Sequence, residues 1–191
     1  MGEAEDATGS AGPSVRPRVT LVLGGARSGK TAHAERLVLA MAHGEDGAAP
    51  AGGAVYIATA QALDAEMAER IGRHQADRAG RFATLEAPID LAGALRGARG
   101  AVLVDCLTLW LSNLMMHDAD IPAAVDALLA ALADVPGPVV LVSNEIGFGI
   151  VPDNALARRF RDEAGRLHQK IAALADRVDL VVASLRVPVK G

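Results

Sequence analysis

Residues 19–31 read VTLVLGGARSGKT, and this stretch decides the fold. Residues 19–23 form a short apolar run rich in β-branched side chains, which predicts a strand buried on both faces. Gly24-Gly25-Ala26-Arg27-Ser28-Gly29-Lys30-Thr31 follows at once and fits the phosphate-binding pattern G-x-x-x-x-G-K-[ST]. The glycines allow backbone N–H groups to turn inward around a phosphate chain. Lys30 is then expected on the β- and γ-phosphates and the Thr31 hydroxyl on Mg²⁺. From residue 31 to 41 the apolar side chains Ala34, Leu37, Val38 and Met41 recur at helical spacing. The glycine loop therefore joins a strand to a helix, and that helix aims the positive end of its dipole at the bound anion.

The same alternation continues outward. Residues 54–58 (AVYIA), 101–104 (AVLV), 138–142 (PVVLV) and 179–183 (DLVVA) read as further strands. Helical spacing marks residues 64–74, 122–132 and a long segment carrying Leu156, Phe160, Leu167, Ile171 and Leu174, with Asp153 or Asn154 as its N-cap. Residues 44–53 (GEDGAAPAGG) are a loop by composition. Continuous apolar strands alternating with helices predict an α/β fold, a mostly parallel sheet flanked by helices. Two stretches, 80–100 and 107–120, resist assignment. Within the second, residues 107–116 are apolar enough to imply burial, in the core or against another subunit.

The whole chain has 191 residues, enough for one domain. Residues 18–191 are expected to form it, behind a disordered tail at 1–17 that holds Glu3, Glu5 and Asp6 against Arg16. That tail has neither the basic start nor the apolar stretch of a secretory signal. The formal net charge is −4 and aromatics are 3% of residues, a poor composition for holding nucleic acid by charge and base stacking. No apolar run approaches the roughly 18 residues of a membrane span. A single cysteine, Cys106, rules out an intrachain disulfide and suits a reducing, cytoplasmic setting.

A phosphate-binding loop needs a carboxylate near its metal, and an acid ending a neighbouring strand commonly supplies it. Asp105 ends the strand at 101–104, and Glu145, after the strand at 138–142, competes with it. His74 raises a different chemistry. It shares a helical face with Met67 and Ile71, with Arg70 four residues before and Arg78 four after. One reading is a helix-end histidine that packs and hydrogen-bonds locally. The other is a nucleophile whose neutral imidazole attacks phosphorus while flanking arginines hold the phosphates.

Four blocks carry a family resemblance: GGARSGKTAHAE (24–35), YIATAQALDAEMAERIGRHQADR (56–78), VLVDCLTLWLSNLM (102–115) and SNEIGFGIVPDNALARRFRDEAGRLHQ (143–169). In this order they resemble the bifunctional adenosylcobinamide kinase / adenosylcobinamide-phosphate guanylyltransferases of cobalamin biosynthesis, over about residues 19–191. The resemblance implies a P-loop, RecA-like domain and a homotrimer. It implies phosphorylation of adenosylcobinamide by ATP or GTP, then transfer of GMP from GTP to adenosylcobinamide phosphate with release of pyrophosphate. The second step is expected to pass through a GMP-histidine at His74, which stands in the family's RIxxHxxxR pattern as Arg70-Ile71, His74 and Arg78. Lys30 is the other implied catalytic group. Implied nucleotide contacts are Gly24, Gly25, Ala26, Arg27, Ser28, Gly29, Lys30, Thr31, Ala58, Thr59, Ala60, Gln75, Ala76, Asp77, Arg78 and Glu86; Asp105 is placed as the next acidic contact by its position at the strand end, and Thr31 with Asp105 is expected to hold Mg²⁺.

The chain departs from the family pattern at a few places. Thr31 stands for the commoner serine and keeps its hydroxyl. Phe82 stands for a tryptophan, Gln75 for a frequent arginine, and the end reads ASLRVPVKG rather than AGLP…LKG. Two rival functions remain: a P-loop kinase for a small metabolite, in which His74 is idle, and a GTP-binding regulatory module. The second lacks the guanine-reading N-K-x-D sequence.

Overall fold

The computed structural model describes residues 17–43, 52–61, 72 and 80–191. The strands, in chain order, are β1 (Val19–Gly24), β2 (Ala54–Ala58), β3 (Ala83–Glu86), β4 (Ala101–Asp105), β5 (Val139–Asn144), β6 (Arg177–Val182) and β7 (Leu185–Lys190). The helices are α1 (Lys30–His43), α2 (Leu91–Gly97), α3 (Leu107–Met116), α4 (Ile121–Asp134) and α5 (Ala155–Leu174). The strands form one sheet in the order β3-β2-β4-β5-β1-β6-β7. Every neighbouring pair is parallel except β6–β7, which is antiparallel. The P-loop strand β1 thus lies between β5 and β6, with layers on both faces of the sheet.

Alternation along the central strands builds two cores. Leu21, Ile57, Val102, Val104, Val139 and Leu141 face one side, where they meet Leu91, Leu95, Trp110, Leu111, Leu128 and Ile171 from α2, α3, α4 and α5. Val22, Tyr56, Leu103, Val140, Val142 and Val181 face the other, against Ala34 and Val38 of α1. Double-sided burial explains why these strands read as unbroken apolar runs.

Both unassigned stretches acquire structure. Residues 80–100 contain β3, which is fully exposed, and α2, capped by Asp90 through a 2.8 Å bond from Gly93 N. Residues 107–116 are α3, and its Leu107, Trp110, Leu111 and Leu114 are buried within this chain. The apolar density there is therefore core. Only Leu109 and Met116 of its large apolar side chains are exposed. The predicted caps and bounds hold closely elsewhere. Asn154, not Asp153, caps α5 by accepting a 2.7 Å bond from Ala157 N. β6 begins two residues earlier than expected and runs into β7 through Ala183 and Ser184.

The tail at 1–16, the loop at 44–51 and nearly all of the predicted helix at 64–74 lie outside the described residues. Among the described residues, no helix is long and apolar enough to cross a membrane.

Candidate active site

Strand register gathers the described ones among the predicted contacts at the carboxyl ends of the parallel strands, where ligands of open α/β sheets bind. Glu86 pairs with Ala58, and Ala58 with Asp105. Gly24 pairs with Asn144 on the far side of β5. Thr59 and Ala60 directly follow β2, and Lys30 and Thr31 open α1.

The P-loop has the shape its glycines predict. Gly29 adopts a positive φ of 88°, and a Cβ there would lie 2.6 Å from Ser184 Oγ. A Cβ on Gly24 would sit 2.5 Å from Ser28 Oγ and 2.7 Å from the Val181 carbonyl. Neither position has room for a side chain. Arg27 is left-handed without being glycine (φ 57°). Inside the loop Lys30 Nζ donates to Gly25 O at 3.0 Å. The Ser28 hydroxyl is buried with no protein partner, so it can serve a phosphate oxygen. Burial pushes the Lys30 ammonium below its ordinary value, against the opposing influence of Cys106 and Asp105. Burial also pushes the Cys106 thiol up. The thiol is thereby held in its neutral form.

Asp105, rather than Glu145, meets the threonine of the loop. Its Oδ2 accepts from Thr31 Oγ1 at 3.2 Å and from Tyr56 Oη at 2.7 Å. Strand β5 separates β4 from β1, yet the side chains at 31 and 105 meet across it. Among the described residues, no three His, Cys, Asp or Glu side chains gather into a metal cage. A hydroxyl beside one carboxylate is nevertheless a hard-oxygen pair. It fits Mg²⁺ that arrives with phosphates, because that ion needs only one or two protein carboxylates.

Thr59 has a structural task. Its fully buried hydroxyl donates to the Cys106 carbonyl and accepts from Cys106 N, both at 2.8 Å. It thereby fixes the β4–α3 junction next to Asp105, and its backbone is engaged as well, the N–H donating to Asp105 O at 3.1 Å and the carbonyl accepting from Asn113 Nδ2 at 2.8 Å. Glu86 is exposed at the sheet's edge. His74, Gln75, Ala76, Asp77 and Arg78 lie outside the described residues.

Two features had no sequence signal, and a third differs from its expectation. Tyr56 reads as an ordinary strand residue, yet its hydroxyl orients Asp105. Ser184 N donates to Ser28 O at 2.8 Å, so the β6–β7 turn supports the P-loop from behind. Glu145 faces a different neighbour from the one expected. Its backbone N donates to Gly24 O at 3.0 Å, and its side chain accepts from Gly147 N at 2.5 Å and lies 3.8 Å from His168 Nδ1. It lines a cavity of about 330 Å³ with Ala26, Thr108, Leu109, Asn144, Ile146 and Phe160.

A loop for phosphates, a cation inside it, and a hydroxyl–carboxylate pair at its mouth make a nucleoside triphosphate site for phosphoryl-group chemistry. Known proteins agree. The family profile described as cobinamide kinase / cobinamide phosphate guanyltransferase matches residues 20–189. The bifunctional adenosylcobalamin biosynthesis protein CobP of Pseudomonas aeruginosa is 51% identical over 90% of this chain and 96% of its own length. The corresponding CobU proteins of Salmonella typhimurium and Escherichia coli are 42% and 40% identical, each over 89% of this chain and 98% of theirs. Among solved structures, a KaiC-like protein of Pyrococcus horikoshii aligns with TM-score 0.48 at 15% identity, over 85% of this chain and 70% of its own. On the profile match and these relatives, the chain belongs to the cobinamide kinase / cobinamide phosphate guanyltransferase family.

Proposed function

We propose that this chain performs both reactions of its family at one P-loop: it phosphorylates adenosylcobinamide, then transfers GMP from GTP to the resulting phosphate. The observation that carries this reading is the meeting of Thr31 and Asp105, 3.2 Å apart at the mouth of the loop that encloses Lys30. In the kinase step the acceptor hydroxyl oxygen bonds to the γ-phosphorus as the bond to the bridging oxygen breaks. Lys30 and the loop N–H groups hold the phosphates and offset the charge that develops on the leaving diphosphate. Such catalysis is mainly positioning and electrostatics. Mg²⁺, held by Thr31 and Asp105, would supply further charge neutralisation on the same oxygens.

In the guanylyl step we assign the nucleophile to His74. Its neutral imidazole attacks the α-phosphorus of GTP, pyrophosphate leaves, and the cobinamide phosphate then attacks the adduct to regenerate histidine. Arg78, with Gln75, Ala76 and Asp77, would flank the same phosphates, and Glu86, Ala58, Thr59 and Ala60 would line the nucleotide's path. The attack needs an unprotonated ring, so this step weakens in acid as the imidazole takes up a proton. We further read the chain as a cytoplasmic homotrimer that accepts ATP or GTP, with residues 18–191 as its one domain. The buried free thiol of Cys106 supports a reducing compartment.

The test is Lys30→Ala assayed in both reactions. Each is expected to fall by about 10²–10³-fold, the typical cost of removing one aimed charge-stabilising donor. Full retention of either reaction would remove the shared site. A simple metabolite kinase would retain no GMP on the protein after incubation with α-labelled GTP.

A further inference from the structure

We propose that Glu145 takes the proton from the acceptor hydroxyl in the kinase step, and that the cavity it lines receives the hydroxyl-bearing arm of the cobinamide. The proposal rests on the kinase reading above.

The cavity is joined to the P-loop at Ala26, which belongs to both, and at Glu145, whose backbone bonds to Gly24 O at 3.0 Å. Among the described residues its lining contains no lysine or arginine, and Glu145 is the only charged residue there. Such a wall repels a triphosphate and accommodates a neutral polar arm. Leu109, Ile146 and Phe160 supply apolar contact, while Thr108, Ser112 and Asn144 supply polar groups. At about 330 Å³ the space sits at the small end of ligand pockets. It suits a short arm, and a large macrocycle would have to remain outside. The chain leaving the cavity at Ile146 offers a surface for that purpose. Phe148 is 85% exposed, Ile150 97% and Val151 61%, a concentration of apolar side chains in water that an apolar ligand edge would cover.

Glu145 is also held as a base must be. One carboxylate oxygen accepts from Gly147 N, and the other faces His168 Nδ1. His168 is anchored in turn by a 2.7 Å bond between its Nε2 and Ser143 Oγ, both residues being buried. Burial pushes His168 below its ordinary value, although Glu145 pulls the other way. Among the described residues no lysine or arginine pairs with Glu145. The carboxylate is thus oriented without being neutralised, whereas Asp105 is already engaged by Thr31 and Tyr56. During transfer the hydroxyl oxygen bonds to the γ-phosphorus, its proton passes to the Glu145 carboxylate, and the nucleoside diphosphate departs with the electron pair of the broken bond. Glu145 then returns the proton to water.

The experiment uses the full chain with ATP and adenosylcobinamide, comparing wild type, Glu145→Gln and Glu145→Asp, with α-labelled GTP as a parallel assay of the protein–GMP adduct. Glu145→Gln is expected to lower kinase kcat by about 10²-fold with KM for both substrates within about threefold. Glu145→Asp, which keeps a carboxylate, recovers part of that loss. GMP labelling persists in both variants, which also shows that they fold. Kinase kcat within about threefold of wild type in Glu145→Gln overturns the proposal, as does a raised KM alone. Loss of labelling together with kinase turnover also overturns it, because Glu145 would then serve the nucleotide site in general. A wild-type chain without kinase turnover overturns the reading beneath the proposal, and the proposal with it.

Discussion

Asp105 and Asp179 both sit on strands and both reach the first turn of α1, yet they do opposite work. Asp105 meets Thr31 and Tyr56, two neutral hydroxyls. Asp179 is wholly inaccessible to water and takes hydrogen bonds from Arg177 at 2.7 Å, Arg186 at 2.7 Å and His33 at 3.0 Å. A carboxylate saturated by cations has no valence left for a ligand. One held by hydroxyls keeps its charge available to a metal or to Lys30. The partners of an acid, more than its burial or its place at a strand end, thus separate a structural role from a chemical one. The Asp179 cluster joins α1, β6 and β7, and so braces the turn that supports the P-loop.

Asp179→Ala should show the largest effect on stability. It strands two arginines around a vacated site, and breaking a buried pair costs about 3–5 kcal/mol. At roughly 2–4 °C per kcal/mol for a chain of this size, thermal melting should fall by about 6–20 °C, with turnover per folded molecule within about threefold. Asp105→Asn should do the reverse, lowering turnover by about 10²-fold, or ~2.7 kcal/mol in the barrier, while melting moves by only a few degrees. If both variants lose stability equally and activity equally, the contrast between the two acids is false.

Acid sharpens the comparison further. Burial alone would raise the Asp179 carboxyl, but hydrogen bonds from Arg177, Arg186 and His33, with the Arg177 charge, hold it below its ordinary value of 3.8. A carboxyl lowered in the folded state contributes stability that is complete above its unfolded pKa and declines as pH falls toward the folded one. Melting curves of the wild type should therefore steepen in their decline below about pH 4, and those of Asp179→Asn should lack that part of the decline. Equal acid slopes would show that the cluster is not the source.

The smallest effect is expected in the turn behind the loop. Ala183 and Ser184 are left-handed at φ 49° and 64°, without a glycine at either place. A left-handed non-glycine residue costs roughly 1–2 kcal/mol. Glycine itself loses about 0.5–1 kcal/mol through its freer unfolded chain. Ser184→Gly should then stabilise by about 0.5 kcal/mol, readable in chemical denaturation, and should leave turnover unchanged. A destabilisation would mean that the serine side chain contributes packing that outweighs its strain.

The central strands were legible because a sheet covered on both faces leaves continuous apolar runs, and the P-loop because its glycines have no substitutes. Asp105 was legible as a strand-end acid and was favoured over Glu145. Its side-chain meeting with Thr31, 74 positions away, was not legible. Edge strands were harder. All residues of β3 and β7 are exposed, so neither carries a burial pattern, and Pro188 interrupts the second. In α3 the apolar residues surround the helix so fully that its period is hidden. Tyr56, His168 and Ser184 act through partners distant in sequence, and no local pattern records such contacts.

The most direct test of one site serving two reactions is the GMP adduct at His74. Purified wild type and His74→Ala are incubated with GTP and digested for mass spectrometry, while kinase turnover is measured on the same preparations. The account predicts a GMP-bearing peptide containing His74 in the wild type, none in His74→Ala, and kinase turnover retained in both. An adduct that persists in His74→Ala, or that maps to another residue, would contradict it.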